Sequence, residues 1–259
     1  MKIKVLNVSF AYNSIPTLKN VSFEVSEGEV VYVVGPNGAG KTTLLKVVAS
    51  MLKPKSGAVY IDGRDSRNYD ARELAKVFAY ANARVNDTLP TTVAEFLATG
   101  RYPHQKPLQI FESYEDLKFI EGVVKELNIE HLMSKKLSQL SSGELQRVII
   151  ARALIQQPKV LLLDEPSAFL DIRYRLEVLS YVNKVVKTRG LASLIAIHDL
   201  YLASTYADKA ILMSNGEIIA AGKPEDVFRE DLIESVYKVK VRIVDVNNRK
   251  VVLPIEVIY

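Results

Sequence analysis

Cysteine is absent from the 259 residues, which removes disulfides, iron–sulfur clusters and thiolate zinc sites from consideration. The absence fits a reducing compartment. Histidine is scarce: His104, His131 and His198 stand far apart and show no metal-ligand spacing. No uninterrupted apolar run approaches the ~20 residues that a membrane-crossing helix requires, so the chain is expected not to span a membrane by itself. Met1-Lys2-Ile3-Lys4-Val5 alternates like a strand and lacks the apolar stretch of a secretory signal. A surplus of one charge is also missing. The 34 basic and 30 acidic residues leave a net +4, too even to argue for nucleic acid as a partner. No internal repeat or low-complexity segment is visible. The composition, 48% hydrophobic and 25% charged, is that of a globular protein with a large core and one or two domains.

One feature present decides more than these absences. Gly35-Pro36-Asn37-Gly38-Ala39-Gly40-Lys41-Thr42 is a G-x-x-x-x-G-K-[ST] loop. The apolar run Val30–Val34 precedes it and reads as a buried strand; the run from Thr42 to Ala49, with Thr43 in its first turn, reads as a helix. Strand, glycine loop and helix together form a phosphate cradle. Glycines let backbone N–H groups turn inward, and the helix N-terminus adds partial positive charge. Lys41 supplies a point charge to the β- and γ-phosphates, and the Thr42 hydroxyl can ligate Mg²⁺.

Residues 1–34 read as strands joined by turns. The Asp62-Gly63 and Asn215-Gly216 pairs mark further turns, the second a hairpin. From about Val85 to Ser138 helical stretches dominate, such as Thr92–Thr99 and Tyr114–Asn128. Val160–Leu163, Leu191–Ile197 and Ala210–Met213 are apolar enough for fully buried strands. In the tail, Val239–Ile243 alternates, Asn247-Asn248 turns and Val251–Leu253 resumes, a candidate hairpin.

Two carboxylates, Asp164 and Glu165, emerge where the Val160–Leu163 strand ends, the end at which ligands gather in parallel sheets. Asp164 is placed to hold Mg²⁺, and Glu165 to polarise an attacking water as general base. Some twenty residues earlier, Leu140-Ser141-Ser142-Gly143-Glu144 opens a helix expected to run to Gln157, with Ser141 as N-cap and Glu144 closing a capping box. An exposed helix start bearing serine and glycine is also an anion site.

These segments, in this order, resemble the nucleotide-binding subunit of an ABC transporter. Gly35–Thr42 and Val160–Glu165 are similar to its Walker A and B motifs, and Leu140–Glu144 to its Leu-Ser-Gly-Gly-Gln signature. Ser167-Ala168-Phe169-Leu170-Asp171 resembles the D-loop, His198 the switch histidine and Tyr12 the aromatic that stacks on adenine. The match reaches about residue 230. It implies an α/β P-loop NTPase (RecA-like) core with an N-terminal antiparallel β subdomain. An α-helical subdomain, about 84–157, is inserted into it, and 231–259 is left as a C-terminal hairpin extension. It further implies ATP and Mg²⁺ as cofactors. Two copies would work head to tail, each ATP held by one copy and completed by Ser141, Ser142, Gly143, Glu144 and Asp171 of the other. Lys41, Glu165 and His198 would be the catalytic set, and Thr42 and Asp164 the metal ligands. Two permease subunits and, indirectly, an extracytoplasmic binding protein would be the partners, at the cytoplasmic face of the membrane.

The chain departs from the pattern in two places. The family glutamine that follows Ala-Tyr-hydrophobic-Pro aligns with Ala83, and Asn82 carries a carboxamide one residue early. Strand alternation is expected to aim Asn82 at the opposite face unless a bulge intervenes. With one side-chain ligand fewer, Ala83→Gln is expected to strengthen the Mg²⁺ dependence of ATP binding. In the signature, Ser142 and Glu144 replace glycine and glutamine, and Ser142 puts a Cβ where phosphate approaches. Thr92-Val93 followed by Gly100-Arg101-Tyr102-Pro103-His104 resembles importer ATPases for iron–siderophore, haem and cobalamin. ATPases of molybdate-type oxyanion importers are the alternative. A non-transport ABC ATPase would carry tandem cassettes or coiled-coil insertions. A regulator without turnover would not need Glu165 and His198, and a simple P-loop kinase leaves Leu140–Arg147 unexplained.

Overall fold

The computed structural model describes residues 2–82, 90–106, 113–246 and 249–258. The chain opens with a hairpin of β1 (Lys2–Tyr12) and β2 (Ile15–Ser26), in which Ile3, Val5, Val8 and Phe10 are buried, the register shifting between Val5 and Val8. Then come β3 (Val30–Val34), α1 (Lys41–Val48), β4 (Ser56–Ile61), β5 (Arg64–Asp65), α2 (Ala71–Val77) and β6 (Phe78–Asn82). Next are α3 (Val93–Ala98), α4 (Tyr114–Glu126) and α5 (Ser142–Ile155). The core resumes with β7 (Val160–Asp164), α6 (Ile172–Arg189), β8 (Ala192–Ala196), α7 (Leu200–Tyr206), β9 (Lys209–Ser214) and β10 (Glu217–Gly222). Last are α8 (Pro224–Val227), α9 (Glu230–Tyr237), β11 (Val239–Val246) and β12 (Arg249–Val257).

Three sheets result. The antiparallel sheet has the order β2-β1-β4-β5, the central sheet β10-β9-β3-β8-β7-β6, and β11 pairs with β12 alone. In the central sheet β9, β3, β8, β7 and β6 are parallel, and β10 joins antiparallel at the edge. Strands β3, β7 and β8 are buried at every residue, which is why they read as unbroken apolar runs. Their two faces feed two cores. Val30, Tyr32 and Val34 face α3, α4, α5, α6 and α9; Val31 and Val33 face α1 and the antiparallel sheet. The period of two in one strand thus builds a three-layer molecule.

Both two-residue turns hold the left-handed conformation expected of them: Asp62 and Gly63 at φ 48° and 84°, Asn215 and Gly216 at 49° and 82°. The turn expected at Asn247-Asn248 lies outside the described residues. The helix expected to run to Gln157 ends at Ile155, and Gln157 adopts φ 50°. Pro158 disfavours helical backbone at the residue before it, so the helix stops short.

Candidate functional site

The strand order sets three C-terminal strand ends side by side: β3 with the phosphate loop, β8 with His198 and β7 with the acidic pair. Gly35 leaves β3 so close to β9 that an added Cβ would lie 2.3 Å from the Met213 carbonyl oxygen. Gly40 caps α1 at φ 100°, a conformation that side-chain-bearing residues rarely adopt. The helix that follows presents Lys41 and Thr42 to the strand ends.

Lys41 is only 7% exposed. Its ammonium donates to the Gly35 carbonyl at 2.7 Å and the Pro36 carbonyl at 3.2 Å, and lies 3.3 Å from His198 Nδ1. An ammonium has only protons to give, so Nδ1 offers its lone pair and the ring proton sits on Nε2. That Nε2 is 3.0 Å from Glu165 Oε1, an ion-pair distance without the alignment of a hydrogen bond. Burial lowers the pKa of Lys41 and, together with the Lys41 charge, that of His198, so the histidine is neutral at pH 7. Burial pushes the Glu165 carboxyl up to about 7; Lys41 opposes the shift and Asp164 reinforces it. Glu165 also holds φ 55°, its N–H bonded to the Ala196 carbonyl at 2.9 Å. A glutamate in left-handed backbone at a strand end is strain held where chemistry is expected.

Asp164 is the hub of the other wall. Thr42 Oγ1 donates to its Oδ1 at 3.1 Å, and the Tyr80 hydroxyl to its Oδ2 at 2.9 Å. Asn82 Nδ2 lies 3.4 Å from the same Oδ2 and from the Tyr80 oxygen. The expectation that Asn82 points away is therefore corrected. β6 pairs with β7 without a bulge, setting Asn82 opposite Asp164 and Tyr80 on the same face two residues earlier. Ala83 lies outside the described residues. Tyr80 is a site residue that the linear motifs do not disclose; it follows only from the β6–β7 register, which puts it on the face that Asn82 shares.

A cavity of about 220 Å³ follows the loop from Asn37 to Thr43 and reaches Glu165 and His198. A second, of about 390 Å³, continues past Thr42, Asn82, Asp164 and Phe169. The Thr42 hydroxyl and Asp164 carboxylate are hard oxygen donors that suit Mg²⁺, which takes one or two protein ligands and fills the rest with phosphates and water. Among the described residues no cluster of three or more His, Cys, Asp or Glu gathers as a metal cage, and such a site needs none.

The other expected residues stand apart from the Lys41 cavity. Tyr12 is 44% exposed, its ring edge-on to Phe10 at 4.9 Å. Ser141 and Glu144 form the expected capping box: Glu144 N–H donates to Ser141 Oγ at 3.3 Å, and Ser141 N–H to Glu144 Oε2 at 2.8 Å. Gly143 is covered by the Tyr174 ring, whose atoms would lie 3.2 Å from an added Cβ. Asp171 caps α6 by accepting from Tyr174 N–H at 3.0 Å. Ser141, Ser142, Gly143, Glu144 and Asp171 are all absent from the lining of the Lys41 cavity.

Comparison with known proteins identifies the family. The family model for ABC transporters matches residues 18–168. An uncharacterised ABC transporter ATP-binding protein of Methanocaldococcus jannaschii is 43% identical over 98% of both chains. The petrobactin import ATP-binding protein of Bacillus subtilis is 31% identical, covering 96% of this chain and 98% of its own. The hemin import ATP-binding protein of Rhodopseudomonas palustris is 33% identical over 97% of both. Among solved structures, a bacterial ABC transporter cassette described as dimeric superposes with a TM-score of 0.75 at 29% identity, covering 86% of this chain and 98% of its own. A phosphate loop facing a paired acid and a histidine at adjacent strand ends, in a chain with these relatives, is the ATP-hydrolysing cassette of the ABC transporter family, to which this protein belongs.

Proposed function

We propose that this cassette powers the import of an iron chelate, a siderophore or haem, or of cobalamin. Two copies would act on two permease subunits at the cytoplasmic face of the membrane. The observation that carries the catalytic part is the junction of Lys41, Thr42, Asp164, Glu165 and His198 around one cleft. The cargo class is supported by the relatives named for petrobactin and hemin import. No helix among the described residues is long and apolar enough to cross a membrane.

In the mechanism, the Lys41 ammonium leaves the Gly35 and Pro36 carbonyls for the β- and γ-phosphates of ATP. Thr42 and Asp164 would hold Mg²⁺, which supplies charge neutralisation when bound. Tyr80 and Asn82 orient Asp164 from behind. Water attacks the γ-phosphorus and gives its proton to Glu165, the bond to the β-phosphate oxygen breaks, and ADP and phosphate leave. A carboxyl with its pKa near 7 is matched to taking that proton at neutral pH. His198, neutral with its proton on Nε2, donates toward the γ-phosphate. Ser141 and Gly143 of a second copy complete the phosphate cradle.

Glu165→Gln tests the assignment. It should bind ATP normally and hydrolyse it about 10²–10⁴-fold more slowly, the range for loss of a general base. Full turnover in that variant would remove Glu165 from its role. Ligand screening of the binding protein that serves the same permease tests the cargo: a ferric chelate, haem or cobalamin supports the reading, and a molybdate-type oxyanion overturns it.

A further inference from the structure

The helices α4, α5 and α6 meet around a cavity of about 150 Å³ that shares no lining residue with the Lys41 cavity. Leu127, Ile150 and Val178, all buried, give it an apolar wall. Glu126 from α4, Arg147 from α5, and Glu177 and Tyr181 from α6 give it polar groups. An apolar pocket with a few convergent polar groups is the usual form of a small-molecule site.

The charges in this cavity do not cancel. Both acids are already answered: Glu126 Oε2 accepts from Arg189 Nη2 at 2.5 Å, and Glu177 Oε1 from Arg173 Nε at 2.8 Å. Arg147 is not. Its Nε is closed to solvent without an acceptor, and among the described residues no carboxylate pairs with its guanidinium. Its aromatic contact is Tyr174, with 5.9 Å from the guanidinium carbon to the ring centroid. The Tyr181 hydroxyl is likewise closed off without an aligned hydrogen bond, since Glu126 on the same cavity is committed to Arg189. Buried charges are expected to be paired and buried hydroxyls bonded. One cation and one hydroxyl therefore stand without an acceptor beside an apolar wall.

We propose that this cavity is a binding site for a small organic carboxylate. The carboxylate takes the guanidinium fork of Arg147, whose geometry it matches, and accepts from the Tyr181 hydroxyl. The apolar body of the ligand lies on Leu127, Ile150 and Val178. A cation would add to the uncompensated charge of Arg147, a neutral apolar ligand would leave that charge unpaired, and a bare inorganic anion would leave the apolar wall unused. The occupant also rests against Tyr174, the ring that covers Gly143 of the signature. The site thus adjoins the signature from inside its own chain.

Butyrate is the probe, close in size to the benzene that a cavity of ~150 Å³ admits. Its binding to the full chain is followed by ligand-observed NMR, with and without saturating Mg·ADP to fill the phosphate loop. The proposal expects saturable binding that ADP does not displace, with a Kd on the order of millimolar for so small a ligand. Butyramide, which keeps the shape and lacks the charge, should bind about ten-fold more weakly or worse. Arg147→Met should weaken butyrate by about ten-fold or more, and Tyr181→Phe by about five-fold, the size of one hydrogen bond. Absence of saturable binding to the wild-type chain overturns the proposal, as does equal affinity for butyramide. Displacement by ADP would put the anion in the phosphate loop, and inorganic phosphate binding as tightly as butyrate would leave the apolar wall without a part; either result overturns it. Unchanged affinity in either variant does so too. Tyr181→Phe, which removes a single oxygen, keeps that test available if circular dichroism shows Arg147→Met unfolded.

Discussion

Glu165 pairs a perturbed pKa with a strained backbone, and both follow from its place at the end of a buried strand. The carboxyl is pushed up to about 7 chiefly by burial. A raised pKa means the folded state binds the proton more tightly than the unfolded one. Stability from this group is therefore undiminished below about 4.5, falls as pH rises, and levels off above about 7. Glu165→Gln carries no such penalty. Its melting temperature without nucleotide should match wild type near pH 4.5 and exceed it increasingly up to pH 7. An equal difference across that range would show a carboxyl that burial does not perturb. Asn82 makes a separate case. Its carboxamide lies 3.4 Å from Asp164 Oδ2, so Asn82→Ala should raise the Mg²⁺ concentration needed for half-maximal nucleotide binding a few-fold, the scale of one weak hydrogen bond. An identical Mg²⁺ titration would reduce Asn82 to a strand-end residue. Walker-type positions such as Lys41 and Asp164 were legible because their spacing along the chain is itself the chemistry. Tyr80 was not, since only pairing β6 with β7 brings it to Asp164.

At the scale of the elements, the Gly100–His104 segment changes its meaning. In sequence it resembles an importer cue; in the structure it is a lock. Arg101 Nε meets Asp116 Oδ1 at 2.6 Å, both side chains buried, while Nη1 donates to the Ile155 carbonyl at 3.0 Å and Gln157 Oε1 at 2.8 Å. His104 Nε2 lies 2.9 Å from the Gln156 carbonyl, and a Cβ on Gly100 would meet the Arg152 carbonyl at 2.8 Å. Together they clamp α3 and α4 to the end of α5, the helix that starts with the signature. Tyr102 stays 61% exposed on this rigid mount. Arg101→Ala would strand Asp116 as a lone buried charge, a loss on the order of 3–5 kcal/mol by urea unfolding. A loss below about 1 kcal/mol would mark the pair as a surface contact. The start of α5 was legible because a capping box writes it at Ser141, whereas the same device at Asp70, which opens α2, was not read from the sequence. The lock was not legible, because it joins residues up to 56 positions apart.

For the whole molecule, the signature and Asp171 lie away from the Lys41 cavity of the same chain, and Tyr174 and the capping box hold the signature in shape there. A site assembled from two copies predicts hydrolysis per molecule that rises with protein concentration until the dimer saturates. A rate per molecule that stays constant down to concentrations where sedimentation shows only monomer would mean one copy is sufficient. The six-stranded order explains why the cleft forms at all: β8 slots between β3 and β7 and delivers His198 between loop and acid pair.

The sequence by itself determined the local chemistry: the phosphate loop, the acid pair, the helix caps and the buried strands. Those are written in contiguous residues whose spacing obeys the periods of helix and strand. Only the tertiary structure decided the rest, namely that Asn82 and Tyr80 face Asp164 and that Gly100–His104 is a lock. Those depend on strand register and on the packing of distant segments, where a shift of one residue reverses which face a side chain occupies.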